Sequence, residues 1–414
     1  MLFIVTFFLI FGWKITFLLD ISALTACVLA GQYIYLHKES VKIIKSPAVI
    51  SLFILAVYST IIVFTTGFTD PQPILRAFRA LIILIASFGL YNLYKQHYRK
   101  HDYKIAQHIF LCIFIHSILI ISMYCCQPLR LLVYDITKAS DYVNLHIPYL
   151  EGYQICGLTY GLSQTSVLQI FGVLLLPILY KESDNNSTKI LLALSFPIII
   201  ISSILCGRTG IFISIFLLPL YLILKLVISK FEIKTLLRFL KTSLCFLLSF
   251  SVLFALAYFY LPQKFRSDRL VKNLEILDVF KNKSKTLKDV KNMYFLPKSI
   301  NQSIFGIGNY GRTKTFYLES DAGWIKSIFA VGFIGTLLMV YPFLLGIYKS
   351  LIKLKFLKEY AISIILILLA TLMLNSKELA LLTRNQWSIQ AIIIVILSDF
   401  NKKEIKKHVN SIPF

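Results

Sequence analysis

Charge is scarce in this chain, and acidic charge scarcest of all. Only 15% of its 414 residues are Asp, Glu, Lys or Arg, where an ordinary soluble domain carries about a quarter. With 57% hydrophobic residues and a mean hydropathy of +0.75, a water-soluble globule is excluded. Twenty carboxylates face 43 Lys and Arg, for a net charge of +23. That excess invites a nucleic-acid reading, but most of the cations flank apolar runs, where topology and lipid headgroups account for them, so no nucleic-acid partner is expected. Metal-ligand spacing is lacking as well. The seven cysteines (Cys27, Cys112, Cys125, Cys126, Cys156, Cys206 and Cys245) form no CxxC pair and have no companion His cluster, which excludes a zinc site and a disulfide framework. Cys125, Cys126 and Cys156 share one expected outer loop, which leaves a bridge among them open. There is no internal repeat and no low-complexity segment. The first apolar run has no small-residue cleavage site and leads directly into a second run, so it reads as a retained span and not as a signal peptide.

Long apolar runs such as Ile190 to Leu205 and Ala361 to Leu374 alternate with short cationic clusters such as Lys38, Lys42 and Lys45, or Lys402, Lys403, Lys406 and Lys407. Only closed helices or barrels satisfy every backbone group in lipid, so this alternation predicts an all-α polytopic membrane protein. Spans are expected near 2–18, 20–36, 47–67, 77–94, 105–123, 161–180, 189–205, 210–228, 243–261, 322–348, 359–374 and 387–400, about twelve in all. Lys14 interrupts the first, which requires it to snorkel and Asp20 to sit in a tight turn. The loops at 37–46, 95–104, 181–188, 229–242, 349–358 and 401–414 are rich in Lys and Arg and are assigned to the cytoplasm with both termini. The chain thus divides into spans 1–261 with an outer loop at 124–160, a large outer loop at 262–321, and three spans with a basic tail at 322–414.

Several residues stand out against that topology. Loop 262–321 is basic although it faces outward, with nine Lys and three Arg against six carboxylates. Long loops escape the positive-inside rule, and the charge suits anionic headgroups or a phosphorylated, lipid-linked substrate. Arg76 and Arg79 share one helix face at the outer start of the fourth span, where they would anchor to lipid phosphate or clamp a pyrophosphate. Arg208 lies in Gly207-Arg208-Thr209-Gly210, the whole connection between two apolar runs; a loop this short has no topological need of a cation at the outer face. At the end of the large loop, Phe305-Gly306-Ile307-Gly308-Asn309-Tyr310-Gly311-Arg312 precedes Ser320-Asp321, which reads as a helix N-cap or as a carboxylate able to take a proton from a sugar hydroxyl. Loop 124–160 adds Arg130, Asp135, Asp141, His146 and Glu151; the last outer loop adds Lys377, Glu378, Arg384 and Trp387. All of these also fit an ordinary interfacial belt.

Three of these stretches resemble the Wzy-type polymerases of O-antigen and capsular repeat units. They are the turn Cys206-Gly207-Arg208-Thr209-Gly210, the large outer loop late in the chain, and its exit through Phe305-Gly306-Ile307-Gly308 and Ser320-Asp321-Ala322-Gly323-Trp324. The resemblance implies a cytoplasmic-membrane enzyme, free of metal and cofactor, that transfers a growing glycan from undecaprenyl pyrophosphate onto another lipid-linked repeat unit. Membrane lipids and a chain-length regulator would be its partners. It implies roles for Arg208, Arg76 and Arg79 on the departing pyrophosphate, and for Asp321 or Glu151 as the base. Arg312, Lys314, Tyr310 and Arg384 would position the substrates. Related O-antigen ligases use a histidine in the large loop, and residues 262–321 contain none. A ligase or another lipid-linked glycosyltransferase, a flippase for the same substrates and a non-enzymatic scaffold remain alternatives.

Overall fold

The computed structural model describes residues 1–13, 20–36, 45–137, 155–159, 161–228, 292–311, 316–354 and 358–399, apart from the side chains of Arg208, Ser398 and Asp399. The described residues fold into thirteen helices with no strand: α1 (Leu2–Phe11), α2 (Ile21–Leu36), α3 (Pro47–Thr65), α4 (Gln72–His97), α5 (His101–Cys125), α6 (Gln127–Ile136), α7 (Leu162–Glu182), α8 (Asn186–Cys206), α9 (Arg208–Ile228), α10 (Ile300–Phe305), α11 (Gly323–Lys353), α12 (Lys358–Leu374) and α13 (Arg384–Asp399).

Among these, α3, α4, α5, α7, α8, α9 and α11 are long and apolar enough to cross a membrane. The all-helical membrane class therefore stands, with seven such helices in place of the twelve expected spans. Helices also occupy the expected positions of the first, second and last two spans; at 10, 16, 17 and 16 residues they are shorter than those seven, and residues 243–261 lie outside the described residues. The first differs most. Its ten residues rise about 15 Å, half of a hydrocarbon core about 30 Å thick, before Gly12 leaves the helix.

Packing explains how so short a helix is tolerated. The last carbonyls of α1 have no helical partner, yet they are buried against α2 and α13, whose side chains satisfy them. Ser22 Oγ donates to Leu9 O at 2.7 Å, Ser388 Oγ to Leu9 O at 3.0 Å, and Asn385 Nδ2 to Ile10 O at 2.5 Å. A helix end inside a membrane protein is stable only where protein meets it this way.

The chain forms two compact units. The first contains α1 to α4, the start of α5, and α10 to α13; the second contains the rest of α5 and α6 to α9. In the first, α4 lies at the centre, packed on α2, α3 and α13, while α11 packs on α3, α10 and α12. Trp387 is fully buried and its Nε1 donates to Ala80 O at 2.9 Å, tying α13 to α4.

In the second unit, α5, α7, α8 and α9 surround small polar side chains. Ser166 Oγ donates to Gly207 O at 2.7 Å and accepts Gly210 N–H at 3.0 Å, so it clips the reversal between α8 and α9 to α7. A Cβ on Gly210 would lie 2.4 Å from that hydroxyl, which requires glycine there. The expected outer loop 124–160 contains α6, on which Arg130 is buried and donates to Met123 O. Residues 155–159 return to the unit, where Leu158 N–H donates to His116 Nε2 at 3.0 Å. Cys156 is a buried free thiol beside Tyr134, while Cys125 and Cys126 are free and exposed, so no bridge joins them.

Candidate functional site

Helices of the first unit alternate in direction, which collects helix ends of unlike chemistry at its two ends. One end carries Lys45, Lys95, Lys349, Lys353 and Lys358. The other gathers the end of α1, the start of α2, the α3–α4 turn, the loop at 306–311 and the starts of α11 and α13. Four of the expected site residues, Arg76, Arg79, Tyr310 and Arg384, meet at this second end.

Asp20 organises them. At the expected turn before α2, this carboxylate is buried and accepts Ala23 N–H on Oδ1 at 2.5 Å, which caps α2. Its Oδ2 lies 3.2 Å from Arg384 Nη1, with side chains 5% and 7% exposed, and 3.7 Å from Arg79 Nη2, whose side chain is 40% exposed. From Arg79 to Lys95 α4 climbs about 24 Å, and from Arg79 back to Gln72 about 10 Å, at about 1.5 Å per residue. The cluster is therefore recessed from the tip of α4.

Arg76, one turn nearer that tip, sits with its guanidinium 5.0 Å from the centre of the Tyr310 ring and donates to Leu381 O at 3.3 Å. Asp70 fixes this arrangement by accepting Gln72 N–H on one oxygen and Tyr310 N–H on the other, both at 3.0 Å. The phenol of Tyr310 is held above its ordinary pKa, first by burial and then by Asp70, while Arg76 opposes the shift. Tyr310 is therefore a neutral ring against a cation, which together with Leu381 O fixes the position of the half-buried Arg76.

Asn375 joins this region to Asp321. Its side-chain oxygen accepts the N–H groups of Ala380 and Leu381 at 2.9 and 3.2 Å, and its main-chain oxygen accepts Trp324 N–H at 3.1 Å. Thus one residue shapes the loop that holds Arg76 and docks the start of α11. Ser320 and Asp321 are not the N-cap of α11, as their sequence suggested; Ala322 holds that position. Ser320 Oγ instead accepts Ala322 N–H at 3.2 Å. Asp321 pairs at 2.8 Å with Lys326, whose side chain is 4% exposed while that of Asp321 is 66% exposed. The buried ammonium needs a counter-ion, and one carboxylate oxygen is occupied in supplying it.

Of the other expected residues, Arg208 begins α9 directly after the single extended residue Gly207, and its side chain lies outside the described residues. So do Glu151, Arg312 and Lys314. No group of three His, Cys, Asp or Glu suited to a metal ion occurs among the described residues. Sequence reasoning missed Asp20, Asp70, Lys326 and Asn375. The available signal was scarcity: with 20 carboxylates in the chain, each one beside an apolar run must find a cation or an N–H. No family model matches the chain, and neither a curated protein nor a solved structure does.

Proposed function

We propose that this protein is a glycan polymerase of the bacterial cytoplasmic membrane, with both termini in the cytoplasm. It would join undecaprenyl-pyrophosphate-linked oligosaccharide repeat units at the outer face. One observation carries the reading: Arg79 and Arg384 share Asp20, and Arg76 lies one turn away beside Tyr310 and Asp70, at the end opposite the lysine-rich one, so three arginines against two carboxylates leave net positive charge where an outer-leaflet pyrophosphate would sit. The new glycosidic C–O bond forms as the anomeric carbon leaves its pyrophosphate oxygen. Negative charge grows on that oxygen and falls to Arg79 and Arg76, while the acceptor hydroxyl proton passes to a carboxylate. Asp321 has its exposed oxygen for that role, and Glu151 is the alternative base. Arg208 lies in the second unit, and its role on the leaving group is assigned by the family resemblance alone. Arg312 and Lys314 align the two lipid-linked chains, while buried Tyr310 and Arg384 contribute indirectly, the one against Arg76 and the other through Asp20.

Transport is favoured by a different feature, the interruption of α11 at Gly332, because transporters bind substrate where helices break. Here the chain itself fills the break. Ile307 N–H donates to Phe329 O at 2.7 Å and Gly308 N–H to Ala330 O at 3.0 Å, so the freed carbonyls are already occupied. The test is deletion of the gene, followed by gel analysis of the surface polysaccharide. A polymerase leaves single repeat units and no ladder. Long chains retained on carrier lipid would identify a ligase, and loss of all outer-leaflet repeat units would identify a flippase.

A further inference from the structure

The carboxylate shared by Arg79 and Arg384 holds the two unequally. Asp20 and Arg384 are both buried at 3.2 Å, while Arg79 stays 3.7 Å away and partly open to the outside. Charge-assisted N–H···O bonds measure about 2.7–2.9 Å, so Arg79 is attracted to Asp20 without being bonded to it. With Asp20 already paired to Arg384, this longer contact to a partly exposed arginine contributes little to stability. The other oxygen of Asp20 is committed to Ala23 N–H, which keeps the carboxylate from following a departing arginine.

We propose that Asp20 is an internal stand-in for a ligand oxyanion, a positioning residue that holds Arg384 permanently and surrenders Arg79 when a phosphate-type anion enters the recess. The idea rests on the anion-site reading above and adds its regulation. Asp20 keeps Arg79 oriented in the empty site and opposes the incoming anion with its own negative charge, so it favours release of the phosphate group over its retention. Removal of that charge should tighten binding, whereas a merely structural Asp20 would loosen it on removal.

The full-length protein in detergent would be titrated with inorganic pyrophosphate, and in phosphatidylcholine nanodiscs with and without a polyprenyl pyrophosphate. Asp20→Asn retains an N-cap side chain of equal quality, and it is expected to bind pyrophosphate about five- to tenfold tighter than the wild type. The gain should vanish in the Asp20→Asn, Arg79→Ala double variant. A gain with the free anion and the lipid supports the proposal for both sources; a gain confined to the lipid-containing discs supports it with the lipid headgroup as the source. Equal or weaker binding by Asp20→Asn, with binding lost in Arg79→Ala, overturns the stand-in role and leaves the anion site intact. Identical behaviour of wild type, Arg76→Ala and Arg79→Ala overturns the site and the stand-in together. Should Asp20→Asn fail to fold because Arg384 is stranded, the Asp20→Asn, Arg384→Met variant removes the buried cation and is expected to show the same gain.

Discussion

Arg79 and Arg384 bear the same guanidinium and meet the same carboxylate, yet burial separates their roles. Replacing Arg384 with Met leaves Asp20 buried without its close partner and is expected to cost about 3–5 kcal/mol, read as a lowered melting temperature in detergent. Arg79→Ala removes a partly exposed pair and is expected to change stability by less than about 1 kcal/mol. Its effect should fall on polymer synthesis, reduced about a hundredfold if it stabilises the leaving pyrophosphate. Arg208→Ala is expected to abolish chain extension with membrane insertion unchanged; a normal ladder in that variant would remove Arg208 from the mechanism. The arginines were legible because a cation beside an apolar run has few structural reasons to be there. Asp20 was not, because its partner Arg384 is brought to it only by the docking of α13 against α1 and α4.

Helix α13 shows how an element can look like a span and act as a scaffold. Its early residues Asn385, Trp387 and Ser388 turn polar atoms toward α1 and α4, not toward water or lipid. That explains why α1 can end half-way and why Arg384, at the start of α13, reaches Asp20. Periodicity alone marks α13 as apolar and cannot show which neighbour its polar positions serve. In α11 the decisive residue is Gly332, at φ 66° and ψ −176°, a region that is essentially restricted to glycine. A Cβ there would lie 2.1 Å from Ile304 O, which is main chain and cannot move aside as a flexible side chain would. Gly332→Ala is therefore expected to lose about 1–3 kcal/mol or more, visible as reduced yield of folded protein. Alanine at Gly335 carries no positive-φ cost, but its Cβ would fall on the Cβ of β-branched Val331, which cannot swing aside, so it is also expected to destabilise.

For the molecule as a whole, the orientation proposed from lysine-rich helix ends predicts which cysteines an impermeant maleimide reaches. Cys125 and Cys126 are exposed at the far end of α5 from Lys104, whereas Cys156 is buried and its thiol is pushed up to about 11. A raised thiol pKa means less thiolate at a given pH, so at pH 8 Cys156 should stay unlabelled while the exposed pair reacts. In spheroplasts of a Cys27→Ser, Cys245→Ser variant, labelling before lysis supports the proposed sidedness. Labelling only after lysis reverses it. Composition and apolar runs by themselves determined the class of this protein, because few charges and long hydrophobic stretches have no stable arrangement in water. They also placed Arg76, Arg79 and Arg384 at helix ends, since span boundaries follow from hydropathy. Only the tertiary structure decided that Arg79 and Arg384 converge on Asp20, that α1 stops short, and that α11 breaks at Gly332. Each depends on hydrogen bonds or ion pairs beyond the local window, from some twenty positions apart at Gly332 to hundreds for Asp20 with Arg384 and Leu9 with Ser388, and local hydropathy carries no information about such partners.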